Sequence, residues 1–124
     1  MHYPSSYDHR DRGRWLAAGG ALYAAAAVAL AAYATHVLAG PDQARLQAAA
    51  VFAFGHGVAI AALAPGLRGR LGRAALSGLW LAVLLFAGSL VGKAVAGWPL
   101  TLAPYGGSLA IASWLVFALD RLRR

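Results

Sequence analysis

Five polar side chains in this chain have the chemistry to bind, coordinate or exchange a proton, and they sit where such groups are costly: His36, His56, Ser89, Lys93 and Tyr105 all fall within or beside long apolar runs. A polar or ionisable group inside a membrane is a functional suspect until its partner is named. Counted from the breaks at Gly40-Pro41-Asp42 and Gly97-Trp98-Pro99, His36, Ser89, Lys93 and Tyr105 lie in one half of the molecule together with Thr35, Gln47, Thr101 and Ser108. His56 lies deeper, near the middle of its run. Two readings follow. One is a polar pocket opening outward, and the other is a set of amphipathic side chains reaching for lipid headgroups.

Harder chemistry is weighed and set aside. Two histidines on neighbouring helices invite bis-imidazole haem ligation. His36 stands about five residues from the intervening turn and His56 about fourteen, a difference in depth of roughly 13 Å at 1.5 Å per residue, too much for one iron. Proton-coupled export by a small four-helix transporter needs a membrane-embedded carboxylate. The four acids, Asp8, Asp11, Asp42 and Asp120, are placed in tails, turns or at a helix end. Ser89 has no His or acid at helical spacing, and no phosphate loop, zinc spacing or carboxylate pair appears. No catalytic residue, metal ligand or cofactor is therefore expected, and the chain reads as a non-enzyme.

The elements that carry these residues are apolar helices. The 124 residues are 60% hydrophobic and 12% charged, with mean hydropathy +0.60. Soluble domains carry about 25% charged residues, so the surplus apolar surface is expected to face lipid. Four runs are long enough for the roughly 20 residues that cross hydrocarbon: 15–38, 44–64, 74–96 and 100–119. The short connections force neighbours to be antiparallel, which predicts an all-α, up-down four-helix bundle. Residues 1–14 read as a disordered basic tail and 120–124 as a second basic tail. Basic residues before an apolar run also imitate a cleavable signal peptide, but the first run exceeds the 7 to 15 residues of such a segment.

The charge, +7 with a pI of about 10.9, is patterned. Arg10, Arg12 and Arg14, then Arg68, Arg70 and Arg73, then Arg121, Arg123 and Arg124 occupy alternate loops, while Arg45 and Lys93 take the opposite side. The positive-inside rule places the three arginine clusters, and with them both termini, in the cytoplasm. A nucleic-acid partner is not expected, because no basic face on a folded module remains once the helices are assigned. With no cysteine, disulfides and thiolate metal sites are excluded. Helices in lipid associate through small residues. Gly19, Gly20, Gly55 and Gly57 supply them, and Gly88 and Gly92 stand in a GxxxG spacing suited to packing inside the bundle or to a dimer face.

Four segments together resemble a known family. They are Ala34-Thr35-His36-Val37-Leu38, Phe52-Ala53-Phe54-Gly55-His56, Leu85-Phe86-Ala87-Gly88-Ser89-Leu90, and Ala103-Pro104-Tyr105-Gly106-Gly107 with Trp114. They are similar to the YgdD-like family, also known as domain-of-unknown-function family 423, small bacterial inner-membrane proteins. The resemblance covers about residues 15–119. His36, His56, Gly88, Ser89, Pro104, Gly106, Gly107 and Trp114 match the family pattern. Ala34-Thr35 replaces Gly-Ala, Ala50 to Phe54 lacks the usual Tyr and Gln, Ala87 and Val91 replace a Ser and a Tyr, and Ala103 replaces a Thr. The missing hydroxyls argue against a catalytic network, and the kept glycines and proline favour a preserved shape.

That shape implies a possible site. Pro104 removes a helix donor, and Gly106-Gly107 allows a backbone or ligand to approach. Ser89 is expected to satisfy a freed carbonyl, with His36 completing the group, either as a pinned kink or as a place for a lipid headgroup, quinone or ion. The family brings no settled activity. The expectation is an integral protein of the bacterial inner membrane whose partners are the bilayer and other membrane subunits or itself, acting as an accessory subunit of a larger complex. The alternative is a small transporter or ligand-binding protein using the outward polar cluster.

Overall fold

Alanine and leucine dominate the apolar runs, and a helix satisfies every backbone donor and acceptor within itself, as lipid requires. The computed structural model describes residues 6–123, with side chains described from residue 11. Its described residues form four α-helices, α1 (Ser6–Val37), α2 (Gly40–Leu63), α3 (Arg70–Ala96) and α4 (Ala103–Leu122), with a 3-10 turn at Ala64–Gly66. The breaks use the expected chemistry. Gly40 has φ +65° with Pro41 behind it in the first turn of α2, and Gly97, with φ +69°, closes α3 in the left-handed conformation that favours glycine.

Three segments are long and apolar enough to cross a membrane: Asp11–Val37, Gly40–Gly66 and Arg70–Ala96, 27 residues each. The fourth expected crossing is shorter. α4 has 20 residues, with Pro104, Tyr105, Gly106, Gly107 and Ser108 at one end and Asp120 and Arg121 at the other diluting its apolar middle. It also sits three residues later than the run at 100–119, because Pro104 fits the first turn of a helix. The segment read as a disordered tail differs too. From Ser6 onward it continues α1, with no proline between Ser6 and Pro41 to stop it and an Asp11–Arg14 ion pair at 3.3 Å across one turn. Residues 1–5 lie outside the described residues. The second basic tail is helical through Leu122.

The first hairpin has a strict register. Gly13 meets Ala64, Gly20 meets Gly57, and Gln43 Nε2 donates to the Ala34 carbonyl at 3.1 Å. Each step along α1 is matched by an equal step back along α2, so the two run antiparallel over their whole length. The buried positions of α1 are Gly13, Gly20, Ala27 and Ala34, one every seven residues. On α2, Leu46, Ala50, Ala53, Gly57, Ile60 and Ala64 alternate spacings of four and three. This is a heptad seam whose α1 side is made only of glycine and alanine, which lets the backbones touch where it meets glycine on α2. A Cβ on Gly20 would lie 2.6 Å from the Gly57 oxygen, and one on Gly57 would lie 2.6 Å from the Gly20 oxygen.

The second hairpin repeats the device. α4 buries Gly106, Ala110, Ser113 and Asp120, facing Phe86, Gly78 and Gly72 of α3 in reverse order. α2 and α3 join the hairpins through two apolar clusters, Ala49, Ala50 and Ala53 with Val83 and Ala87 at one level, and Ile60 and Ala64 with Leu76, Leu79 and Ala110 at the other. The helices alternate direction as expected. Among the described residues α1 packs on α2 and lightly on α3, and α4 packs on α3, while α1 and α4 form no comparable packing.

Candidate functional site

His56 is held by a string of aromatic rings. Its ring stacks on Phe52 of its own helix at 4.1 Å and 26°, and Phe52 meets Phe86 of α3 at 4.3 Å. The Trp114 indole N–H on α4 donates to His56 Nε2 at 3.2 Å. An indole nitrogen is a donor only, so Nε2 must present its lone pair and the proton of the neutral ring sits on Nδ1. Nδ1 is 2.9 Å from the Phe52 carbonyl, which accepts that proton. Both ring nitrogens are thereby engaged. His56 ties α2 to α4 across 58 residues of sequence, and Trp114, read only as part of the family pattern, is its partner.

The remaining expected site residues use their polar atoms locally or on the surface. Ser89 is 7% exposed, and its hydroxyl donates to the Leu85 carbonyl one turn back, at 2.5 Å. Thr35 does the same to Ala31 at 2.9 Å. Ser89 thus serves its own helix rather than a carbonyl freed by Pro104. His36 is exposed at the end of α1, Lys93 is half-buried in the last turn of α3, and Pro104 and Tyr105 are exposed, Tyr105 by 68%. A Cβ on Gly106 would lie 2.5 Å from the Phe86 nitrogen, so this glycine admits the backbone of α3. Gly107 stands further off, 4.0 Å from the Phe86 ring.

These residues do not converge on one point. In the register of the first hairpin His36 is level with Pro41, and His56 lies about fifteen residues further along α2, roughly 22 Å away at 1.5 Å per residue. That is more than the separation expected from the sequence. Among the described residues no group of three or more His, Cys, Asp or Glu could hold a metal ion. The expected packing pair is also divided. Gly88 has open space where its Cβ would be, and the atoms nearest to a Cβ on Gly92 belong to the folded-back ring of Trp98 rather than to another helix.

Several contacts had no counterpart in the sequence reading. The Tyr23 hydroxyl donates to the Trp80 carbonyl at 2.9 Å, with the rings 5.2 Å apart, fastening α1 to α3. Gly19 faces the Trp80 indole nitrogen. Asp120, read as a tail residue, is 3% exposed and occupies the last seam position of α4 against Gly72. At the same end, α1, the 3-10 turn and α3 enclose a recess of about 440 Å³ lined by Arg14 and Arg73 with Gly13, Ala17, Ala64, Pro65 and Leu67. Other recesses include apolar grooves of about 520 Å³ between α1 and α2 and about 340 Å³ between α1 and α3, and one of about 370 Å³ where Ser89 of α3 and Thr101 border an otherwise mainly apolar lining with Trp98 and Pro99.

The described residues form an all-helical fold with three segments long and apolar enough to cross a membrane, in which His56 bonds between helices and Ser89 within its own. No family model, no curated protein and no solved structure matches it.

Proposed function

We propose that the chain is a non-enzymatic integral membrane protein of the bacterial inner membrane that acts through its surface, as a small accessory subunit of a larger membrane complex. The observation that carries this reading is the fate of the intramembrane polar groups. Ser89 and Thr35 bond within their own helices, and His56 has both nitrogens engaged, leaving no convergent set aimed at a substrate. What the chain presents instead is apolar area, including Val28, Val51, Phe54, Leu84 and Ile111 on exposed helix faces. The resemblance to the YgdD-like family points to the same membrane.

All four helices lie in the bilayer on this reading. α4 has 20 residues, about 30 Å at 1.5 Å per residue, which matches a hydrocarbon core. Charge supports the orientation. Arg12, Arg14, Arg68, Arg70, Arg73, Arg121 and Arg123 gather at one end, whereas at the other Asp42 neutralises Arg45 through a 3.0 Å ion pair. The arginine end is the cytoplasmic one.

Native mass spectrometry after gentle extraction from the producing membrane tests the role. A discrete hetero-complex is expected. A bare chain, together with turnover or solute flux in liposomes, would overturn the accessory-subunit reading.

A further inference from the structure

The recess at the arginine end has a composition unlike the other grooves. Its walls come from three separate segments: Gly13, Arg14 and Ala17 from α1, Ala64, Pro65 and Leu67 around the 3-10 turn, and Arg73 from the first turn of α3. Two arginines therefore line a recess whose other walls are small and aliphatic side chains. Gly13 makes these walls possible, because a Cβ there would lie 3.2 Å from the Ala64 oxygen. Arg73 is oriented by its Nε–H, which donates to the Gly69 carbonyl at 3.4 Å, so its position is set by the turn that precedes α3. Arg14 pairs with Asp11 at 3.3 Å, but its side chain is 71% exposed and such pairs are weak enough to exchange for a better anion.

Guanidinium forks match phosphate oxygens in geometry and charge. Apolar walls in the same recess fit the glycerol and first acyl carbons that follow a phosphate in a phospholipid. Basic pockets between membrane helices on the cytoplasmic side are suited to anionic headgroups, and that leaflet carries the negative surface potential. We infer that the recess between Arg14 and Arg73 binds the phosphate of an anionic phospholipid, seating its headgroup between α1 and α3. The inference rests on membrane insertion with the arginine end inward, and is independent of whether the chain serves a larger complex.

The consequence is a link between the hairpins at an end where α1 and α3 otherwise touch only lightly. Thermal unfolding of the full chain in neutral detergent micelles, titrated with phosphatidylglycerol, with phosphatidylcholine and with free glycerol 3-phosphate, reads the site. Phosphatidylglycerol should raise the melting temperature and phosphatidylcholine should not. A response to glycerol 3-phosphate as well would assign the same phosphate site to soluble esters in addition to lipid. No preference for phosphatidylglycerol over phosphatidylcholine would overturn the inference.

Variants separate a built pocket from general attraction to the basic end. Arg14→Gln, at an exposed position, should weaken the half-saturating phosphatidylglycerol content roughly fivefold, the effect of one arginine at a charged surface. Arg73→Gln should do so at least as strongly, and Arg73→Lys should recover part of the loss. Arg123→Gln, at the same end but outside the recess, is the control. Equal losses in Arg14→Gln and Arg123→Gln would show nonspecific charge and overturn the pocket. Recovery of each variant from the membrane fraction reports insertion separately, so a failed lipid response in an inserted protein rejects the pocket without touching the membrane reading.

Discussion

At the scale of single residues, glycine is used in three different ways along one chain, and only the local surroundings tell them apart. Gly20 and Gly57 face each other's backbone oxygens, which cannot yield as a side chain can. Gly92 lies under the ring of Trp98, a side chain that is 59% exposed, rather than under a backbone. Gly88 faces open space. Replacing Gly20 with Val should therefore cost about 1–3 kcal/mol or more, the usual penalty of overpacking. Gly88→Ala should leave stability unchanged or raise it by roughly 0.5–1 kcal/mol, since glycine in a helix is the more expensive residue. Thermal unfolding in one detergent checks both, and a Gly88→Ala variant as damaged as Gly20→Val would contradict this assignment. Gly20 and Gly57 were visible in the sequence as small packing residues beside the Gly88–Gly92 spacing, but they lie on different helices, and that they face each other emerges only once the register is known. His56 was visible for the same kind of reason and its partner was not, because nothing local ties it to Trp114.

At the scale of elements, the governing pattern is the heptad. A seven-residue repeat of buried positions keeps one line of α1 against α2, and Gly13, Gly20, Ala27 and Ala34 follow it without exception. Inserting one alanine between Tyr23 and Ala24 would rotate everything beyond by about 100°, carrying Ala27 and Ala34 off the seam while changing neither hydropathy nor length enough to affect insertion. The variant should reach the membrane fraction in normal amount yet melt well below the parent. Undiminished stability would mean that the seam tolerates sliding. The positions of the helices were legible because hydropathy and the Gly-Pro breaks mark them. The seam was hidden by its composition: in lipid both faces of a helix are apolar, and within an alanine run a buried Ala27 looks no different from an exposed Ala25. The ends were less legible than the middles, since α1 extends back to Ser6 on polar residues and α4 begins at Ala103 because proline favours a first turn.

At the scale of the whole molecule, two asymmetries set how the chain would sit in its membrane and what it would offer there. Along its length, one end concentrates arginine and the other holds the Asp42–Arg45 pair with Lys93 and His36. Across its width, α1 packs chiefly on α2 and α4 on α3, with no comparable α1–α4 packing among the described residues. The alternation of charge between loops was readable from sequence; how the first and last helices pack was not, because short connections specify neighbours in sequence but say nothing of α1 against α4. The lengthwise asymmetry yields a test without native interference, as the chain contains no cysteine. A cysteine at exposed Thr101, in the connection between α3 and α4, should react with a membrane-impermeant maleimide applied to intact spheroplasts. A cysteine at exposed Arg68, in the connection between α2 and α3, should react only after the membrane is broken. The reverse pattern would invert the orientation. Labelling of both in intact spheroplasts would mean that α3 does not cross, leaving the apolar surface of this 27-residue segment to be covered by protein rather than lipid.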